Sequence, residues 1–338
     1  MNTTDKKYNR YALIREMMET PEIFRKFNPA VAQHYVKKSK SKKGIFFTGE
    51  GSSRIFPAKR AKYSLLKSGS FLPVATEGAT QALEYPLNDF AVFCASNSGQ
   101  TKEIIRLVHS LKQRNHDAVF GLTANKNTRL QELVPDTHII SCGKEDAVAA
   151  TKSVMEQGLF YDALIRGLTG QDMDGLKEVA DKIEEALTMP INPDIIERIK
   201  SADIIYFAGR NNGVAEELAL KTNEITRKKS AFLEGTFAVH GIEEVMDKNE
   251  ILIWIEPFAD EVDKFEECLV KGVGMNIIAV SSEKSRFPGI TIPYGGQYTE
   301  YVQLAAGWNL LVETGIALGI DLDKPVRARK VGNEFIPS

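Results

Sequence analysis

The chain has 338 residues, a net charge of −2 and ordinary apolar and charged fractions, so it is long enough for two domains with separate cores. Its uncharged apolar runs have the length of strands, well short of the roughly 20 residues that a membrane helix needs. The polar N-terminus contains no apolar signal segment. We therefore expect a cytoplasmic protein without a membrane partner.

The cysteines and the charge distribution argue against two further classes of protein, those held by disulfides or zinc and those that bind nucleic acid. Cys94, Cys142 and Cys268 are unclustered, which predicts neither a disulfide framework nor a zinc site. The basic cluster at 37–43 has no interleaved aromatic residues, so it indicates a solvated helix end rather than a nucleic-acid surface. We expect no metal, no organic cofactor and no nucleic-acid partner.

After a helical arm at 1–43, strands and helices alternate. Uncharged apolar runs predict strands, and apolar residues at helical spacing predict the helices between them. The predicted strands are 44–48, 71–75, 90–95, 118–123 and 137–141, and the helices include 53–67, a short helix after Glu77-Gly78, one near Leu130 and one from Ala149. This alternation predicts an α/β fold with a doubly wound, flavodoxin-like parallel sheet.

From about residue 204 the pattern repeats. IIYFAGRNNG corresponds to GIFFTGEGSS, and ILIWIEP corresponds to AVFCASN. A repeat of this length predicts two similar domains rather than a solenoid. The predicted boundaries are an arm at 1–43, a first domain at 44–170, a helical linker at 171–200, a second domain at 201–322 and a tail at 323–338.

A polar hexapeptide comes directly after the strand at 90–95 and precedes a helix. Hydroxyls, a glycine and free backbone N–H groups at a helix N-terminus suit a phosphate. The same residue types are common helix caps, so both interpretations stay open from these residues alone. The candidates are Ser96, Asn97, Ser98, Gly99 and Thr101.

Two other strand ends contain small residues. Ser52 and Ser53 come after the first strand, at the edge where parallel sheets bind ligands. Val148 and Ala150 lie in VAATKS, which opens a long helix. Ordinary turns and closely packed helix ends use the same residue types.

The second repeat contains the ionisable candidates. Lys221 and Glu224 are spaced i, i+3 on a predicted helix, where a surface ion pair is the alternative interpretation. His240 comes after a turn, and an isolated histidine is more often structural than catalytic. Lys330 lies in a basic tail that could equally be poorly ordered.

These motifs together resemble the double SIS (sugar isomerase) domain family, including the isomerase domain of glucosamine-6-phosphate synthase and the SIS-type glucosamine-6-phosphate deaminases. The resemblance runs from about residue 43 to residue 331 and includes S-x-S-G-x-T, V-A-A-T-K, A-L-K-x-x-E and H-G. It implies that Ser53 and the hexapeptide bind phosphate and that the run around Val148 and Ala150 contacts the sugar.

The same resemblance implies catalytic roles. Glu224 would move a proton between sugar carbons 1 and 2, with Lys221 as its partner or as a competing base. His240 would help to open the ring across a homodimer interface, and Lys330 would form a Schiff base. Three positions depart from the family pattern: Glu50 replaces a cysteine, Ala150 a serine and Ile242 a proline.

The expected function is that of a hexosamine 6-phosphate isomerase or deaminase that releases ammonia and a ketose 6-phosphate. The chain begins Met1-Asn2-Thr3, so we expect no glutaminase domain and therefore deamination rather than synthesis. A fructosamine-6-phosphate deglycase and a simple aldose–ketose isomerase are alternatives. A non-catalytic phosphosugar sensor is the alternative from another class.

Overall fold

The computed structural model describes residues 1–327 and contains two five-stranded sheets in which every strand pair is parallel. The first has the strand order β2-β1-β3-β4-β5. The second has the order β10-β9-β8-β6-β7, which is the same topology read from the other edge. The strands are β1 (Gly44–Thr48), β2 (Val74–Glu77), β3 (Phe90–Ala95), β4 (Val119–Thr123), β5 (Thr137–Ile139), β6 (Ile204–Gly209), β7 (Lys229–Glu234), β8 (Ile251–Ile255), β9 (Asn276–Ser281) and β10 (Gly289–Thr291).

Helices flank both sheets. They are α1 (Lys6–Asn9), α2 (Ala12–Met18), α3 (Thr20–Lys26), α4 (Gln33–Ser39), α5 (Ile55–Lys67), α6 (Ala79–Ala82), α7 (Lys102–Gln113), α8 (Arg129–Leu133), α9 (Lys152–Thr169), α10 (Leu176–Thr188), α11 (Pro193–Ser201), α12 (Val214–Ile225), α13 (Val262–Phe265) and α14 (Thr299–Ala317). The predicted α/β class, the two doubly wound, flavodoxin-like parallel sheets and the internal duplication are confirmed.

Two predicted strands differ at their ends. The strand predicted at 71–75 begins at Val74, because Phe71 is exposed and Pro73 has no backbone N–H to donate. The strand predicted at 137–141 ends at Ile139. Beyond it, the N–H groups of Ser141 and Cys142 donate to the Glu156 carboxylate, which takes the place of a strand partner.

Two predicted helices also begin later. Residues 51–53 form a 3₁₀ turn, so the helix predicted from Ser53 begins at Ile55. The helix predicted from Ala149 begins at Lys152. Both shifts leave a short irregular segment between a strand and the next helix.

Residue contacts divide the chain into two units, and neither is one continuous segment. The β1–β5 unit contains Glu22–Glu145 and Ala150–Leu176. The β6–β10 unit contains Met1–Pro21, Asp146–Ala149 and Lys177–Val326. Asp323 ties the N-terminal helices into the latter, because its carboxylate accepts the N–H groups of Ala12 at 2.7 Å and Leu13 at 3.0 Å.

Each unit has its own apolar core. All five residues of β1 and all five of β8 are buried, as expected for strands covered on both faces. Phe47, Phe93 and Phe160 pack in the first core, and Trp254 stacks on Phe265 in the second with ring centroids 3.7 Å apart. Within residues 1–327, no helix combines the length and the apolar composition needed to cross a membrane.

Candidate functional site

The hexapeptide at 96–101 joins β3 to the N-terminus of α7. The Oγ atom of Ser96 lies 2.7 Å from Oγ1 of Thr101 and accepts the Thr101 N–H at 3.3 Å. Ser98 Oγ accepts the Gln100 N–H at 3.1 Å. The hydroxyls therefore bond within the loop, and phosphate binding by them stays a prediction.

Gly99 determines the shape of this loop. Its φ of +66° lies in the left-handed region, which favours glycine. A Cβ atom at this position would lie 2.4 Å from Thr128, so any larger residue would displace the loop. The glycine allows the hexapeptide to pack closely against the loop that precedes α8.

The turn containing Ser52 and Ser53 lies at the same edge of the first sheet. It comes after β1, which pairs in parallel with β3, so the two loops leave neighbouring strand ends. Gln157 of α9 donates to the carbonyl oxygen of Ser53 and holds the turn from the helix side. Glu50, which stands where the family has a cysteine, accepts the Ala79 N–H at 2.9 Å and so caps α6.

A buried carboxylate joins the hexapeptide to the N-terminus of α9. Glu145 is 1% exposed and accepts Nδ2 of Asn97 at 2.9 Å and the Thr151 N–H at 2.7 Å. The hydroxyl of Ser153 also donates to it. Sequence reasoning assigned Glu145 no role, because an acid before a helix is a common cap.

Val148 and Ala150 are both partly exposed beside that helix end. By residue contacts Val148 groups with the β6–β10 unit and Ala150 with the β1–β5 unit. Their contact with a sugar stays a prediction.

In the β6–β10 unit, α12 contains a line of three charged side chains. The Nζ atom of Lys221 lies 2.7 Å from Oε2 of Glu224 and 3.3 Å from Oε1 of Glu217. Lys221 and Glu217 are fully buried, whereas the Glu224 side chain is 25% exposed. The predicted Lys221–Glu224 contact is thus present, but its lysine lies in the interior rather than at the surface.

The environment of Lys221 determines its charge. Burial disfavours the ammonium, but the carboxylates of Glu224 and Glu217 outweigh that effect and raise the Lys221 pKa above its ordinary value. Lys221 is therefore protonated at neutral pH. Sequence reasoning missed Glu217, although its i, i+4 spacing to Lys221 was a readable signal.

His240 is exposed at the end of the 3₁₀ turn Phe237–Val239. Its Nε2 atom lies 3.1 Å from Nζ of Lys264. Gly241, which precedes the Ile242 that replaces the family's proline, has a φ of +111°, and its N–H donates to the Glu243 carboxylate at 2.6 Å. The role of His240 stays a prediction.

Lys330 lies outside the described residues, so its predicted role is also untested. Among residues 1–327, no group of three or more His, Cys, Asp or Glu side chains is placed to hold a metal ion.

Comparison with known proteins identifies the fold family. Residues 39–166 match the SIS domain family. No curated protein shows significant sequence similarity to the chain. Solved structures match over nearly the whole length, and because their sequence identity is about 20%, the likeness shows the fold alone.

Three of these structures have named activities. The C-terminal domain of glucosamine-fructose-6-phosphate aminotransferase from Francisella tularensis has a TM-score of 0.78 at 20% identity and covers 95% of this chain and 100% of its own. Glucosamine-6-phosphate deaminase from Thermotoga maritima has a TM-score of 0.76 at 20% identity, with 96% and 99% covered. Tagatose-6-phosphate ketose/aldose isomerase from Escherichia coli has a TM-score of 0.78 at 18% identity, with 96% and 98% covered.

Proposed function

Because the chain contains a SIS domain and repeats the fold of that domain in its second half, we propose that it is a sugar-phosphate isomerase or deaminase acting on a hexosamine 6-phosphate. The reaction would open the sugar ring, move a proton between carbons 2 and 1, and release ammonia to leave a ketose 6-phosphate. The named activities of the solved structures that share the fold are consistent with a phosphorylated sugar as substrate.

The observation that carries this proposal is the charge arrangement on α12. A protonated Lys221 cannot accept a proton, so Glu224 is the base of the pair. Its partial exposure lets it reach a substrate, whereas Glu217 is fully buried behind Lys221. The Lys221 ammonium also pairs with the Glu224 carboxylate, with Nζ 2.7 Å from Oε2.

The hexapeptide supplies the proposed phosphate site. Ser96, Ser98 and Thr101 bond to one another or to loop N–H groups, and each hydroxyl can rotate to donate to a phosphate oxygen instead. The positive end of the α7 dipole favours the same anion. Ser53, on the neighbouring strand end, would add a further donor.

These roles define the chemistry. Glu224 removes the proton bonded to carbon 2 of the open-chain amino sugar and returns it to carbon 1. The carbon 1 oxygen gains a proton as the carbon 2 amine loses one, which gives a carbon 1 alcohol and a carbon 2 imine. Water then adds to that imine, and ammonia leaves as the ketone forms. His240 would assist ring opening, and the amine of Lys330 would condense with the carbonyl of the open-chain ketose, with loss of water, to form a Schiff base.

The test is a panel of sugar 6-phosphates assayed for ammonia, ketose and amine release. Ammonia from glucosamine 6-phosphate is the expected result. Ketose from an aldose without ammonia would identify a simple isomerase, and amine release from a fructosamine 6-phosphate would identify a deglycase. Binding without any turnover would favour a phosphosugar sensor and reject the catalytic proposal.

A further inference from the structure

The two sheets differ in the residue that comes after the central strand. β8 has the position in the second sheet that β3 has in the first, between its neighbours in the same strand order. The first residue after β3 is Ser96, which begins the hexapeptide. The first residue after β8 is Glu256, whose acidic side chain is unsuited to binding an anion.

The Glu256 carboxylate is itself held as an anion would be. Its Oε1 accepts the hydroxyls of Ser281 at 3.1 Å and Ser282 at 3.0 Å. Its Oε2 accepts the backbone N–H of Ser282 at 3.2 Å and Nε2 of Gln303 at 3.0 Å. Four donors from two separate elements, the end of β9 and helix α14, therefore converge on one carboxylate.

The backbone of Glu256 is held in an unusual conformation. Its φ of +48° lies in the left-handed region, which strains a residue other than glycine. The Glu256 N–H donates to the Val280 carbonyl at 2.8 Å, and Arg210 donates to the Glu256 carbonyl. These bonds fix the residue so that its side chain reaches the donors.

Gln303 provides an independent indication that the donors form a built site. Its side chain is 4% exposed, so its amide N–H group needs a partner inside the protein. Glu256 supplies that partner. Without the carboxylate, a buried amide donor, two hydroxyls and a backbone N–H would face the same space.

We propose that the carboxyl edge of the second sheet contains an oxyanion site that the protein occupies with its own Glu256 carboxylate. All four donors are neutral, and Arg210 contacts the Glu256 backbone rather than the carboxylate. The site therefore suits a single negative charge, and the ligand class is a small monocarboxylate rather than a dianionic phosphate. This inference concerns the β6–β10 unit alone and does not rest on the proposed function.

The test is chemical rescue. Glu256→Gly removes the carboxylate and suits the left-handed backbone, so it leaves the four donors facing an empty space. In chloride we expect the Tm of Glu256→Gly to be lower than that of wild type. Added acetate should restore at least half of this Tm difference, with an effect that saturates as the acetate concentration rises. The Tm of wild type should be no higher in acetate than in chloride.

Two control variants define the site. Glu256→Gln keeps the side-chain volume, so acetate should not raise its Tm. Glu256→Gly combined with Gln303→Leu removes one donor, so acetate should bind more weakly than to the single variant. If Glu256→Gly does not fold in chloride, Glu256→Ser takes its place in the Tm measurement. For both variants, the yield of folded protein after refolding in acetate is also measured.

Two outcomes would overturn the proposal. The site would be excluded if acetate raised the Tm of neither Glu256→Gly nor Glu256→Ser by more than it raised the Tm of wild type. If inorganic phosphate raised the Tm of these variants as much as acetate does, the proposed preference of the site for a singly charged ligand would be excluded. Failure of the sugar 6-phosphate panel would leave these outcomes unaffected, because no sugar is used.

Discussion

At the scale of single residues, the charge of Lys221 decides which side chain on α12 can act as a base. An exposed lysine with an ordinary pKa is already protonated at neutral pH, and only a lysine whose pKa burial lowers far enough could compete as the base. Here the lysine lies between two carboxylates in the interior, and its raised pKa keeps it protonated. Glu224 is therefore the residue to test.

The first prediction concerns Glu224→Gln. The change preserves side-chain size but removes the base, so we expect kcat to fall roughly 100-fold to 10,000-fold with little change in substrate binding. Glu197→Gln is the matched control, since it breaks an i, i+3 pair with Lys200 that is exposed. Turnover of Glu224→Gln near the wild-type rate would exclude the proposed mechanism.

Glu145 is the second residue whose environment indicates a role. Its carboxylate holds the Asn97 side chain and the N-terminus of α9 at once. Because Asn97 lies inside the hexapeptide, Glu145 would position the proposed phosphate-binding loop without contacting the substrate. The Glu145 carboxylate also already occupies the N-terminus of α9, so this helix end is poorly suited to binding a substrate anion.

The second prediction therefore concerns Glu145→Gln. The new amide group would place an N–H₂ against the Asn97 or Thr151 donors, so the Kd for inorganic phosphate should rise by about tenfold, as for a lost hydrogen bond to a charged group. For the sugar substrate, KM should rise while kcat stays close to that of wild type. Glu132→Gln, in an exposed pair with Arg129, is the control. A lower Tm with unchanged phosphate affinity would assign Glu145 a structural role only.

At the scale of elements, a buried ion pair joins α5 to α9. Arg60 is 1% exposed and Asp162 is 3% exposed, and Nη1 of the former donates to the latter. Both helices also contribute to the site region, because α5 comes after the turn that contains Ser53 and α9 begins beside Glu145. The pair therefore fixes the two helices that hold these loops.

The third prediction is that Asp162→Ala lowers the free energy of unfolding by about 3–5 kcal/mol, because it removes the carboxylate of a buried ion pair. Urea denaturation of the full chain measures the loss. Glu267→Ala removes the exposed partner of Lys271 and should leave stability close to that of wild type. If both substitutions lowered the free energy of unfolding equally, the buried pair would contribute no more to stability than the exposed pair does.

At the scale of the whole molecule, the two repeats have the same topology and different chemistry. The β1–β5 unit has a serine-rich loop after its central strand, and the β6–β10 unit has the carboxylate of Glu256 and the charged line on α12. Duplication of a fold thus does not duplicate the site. One proposed phosphate site and one proposed base per chain are the result.

The fourth prediction tests the expected homodimer. If His240 completes the site of a neighbouring subunit, mixing Glu224→Gln and His240→Ala chains should restore activity. With equal amounts and free exchange, half of the dimers would be mixed and each would have one intact site, so we expect about a quarter of wild-type activity. No recovery in the mixture, or a fully active monomer by light scattering, would reject the shared site.

Sequence patterns alone determined the α/β class, the parallel pairing of the strands and the duplication. They could do so because buried parallel strands such as β3 and β8 are uncharged apolar runs that differ plainly from the helices between them. The ends of β2 and β5 were less predictable. At β2, Pro73 was a readable signal inside the predicted strand, but the exposure of Phe71 was not. At β5, the strand end depends on the Glu156 carboxylate, which lies 15 positions from Ser141 and outside a short window.

The candidate residues were named from motifs, but their environments required the tertiary structure. The sequence shows Lys221 and Glu224 one turn apart, yet only packing shows that the lysine is buried between two carboxylates and must stay charged. Similarly, Glu145 and Glu256 are ordinary acids in the sequence. Folding brings Asn97 to the first and Gln303 to the second, because these donors lie 47 or more positions away along the chain and meet the acids only where strands and helices converge.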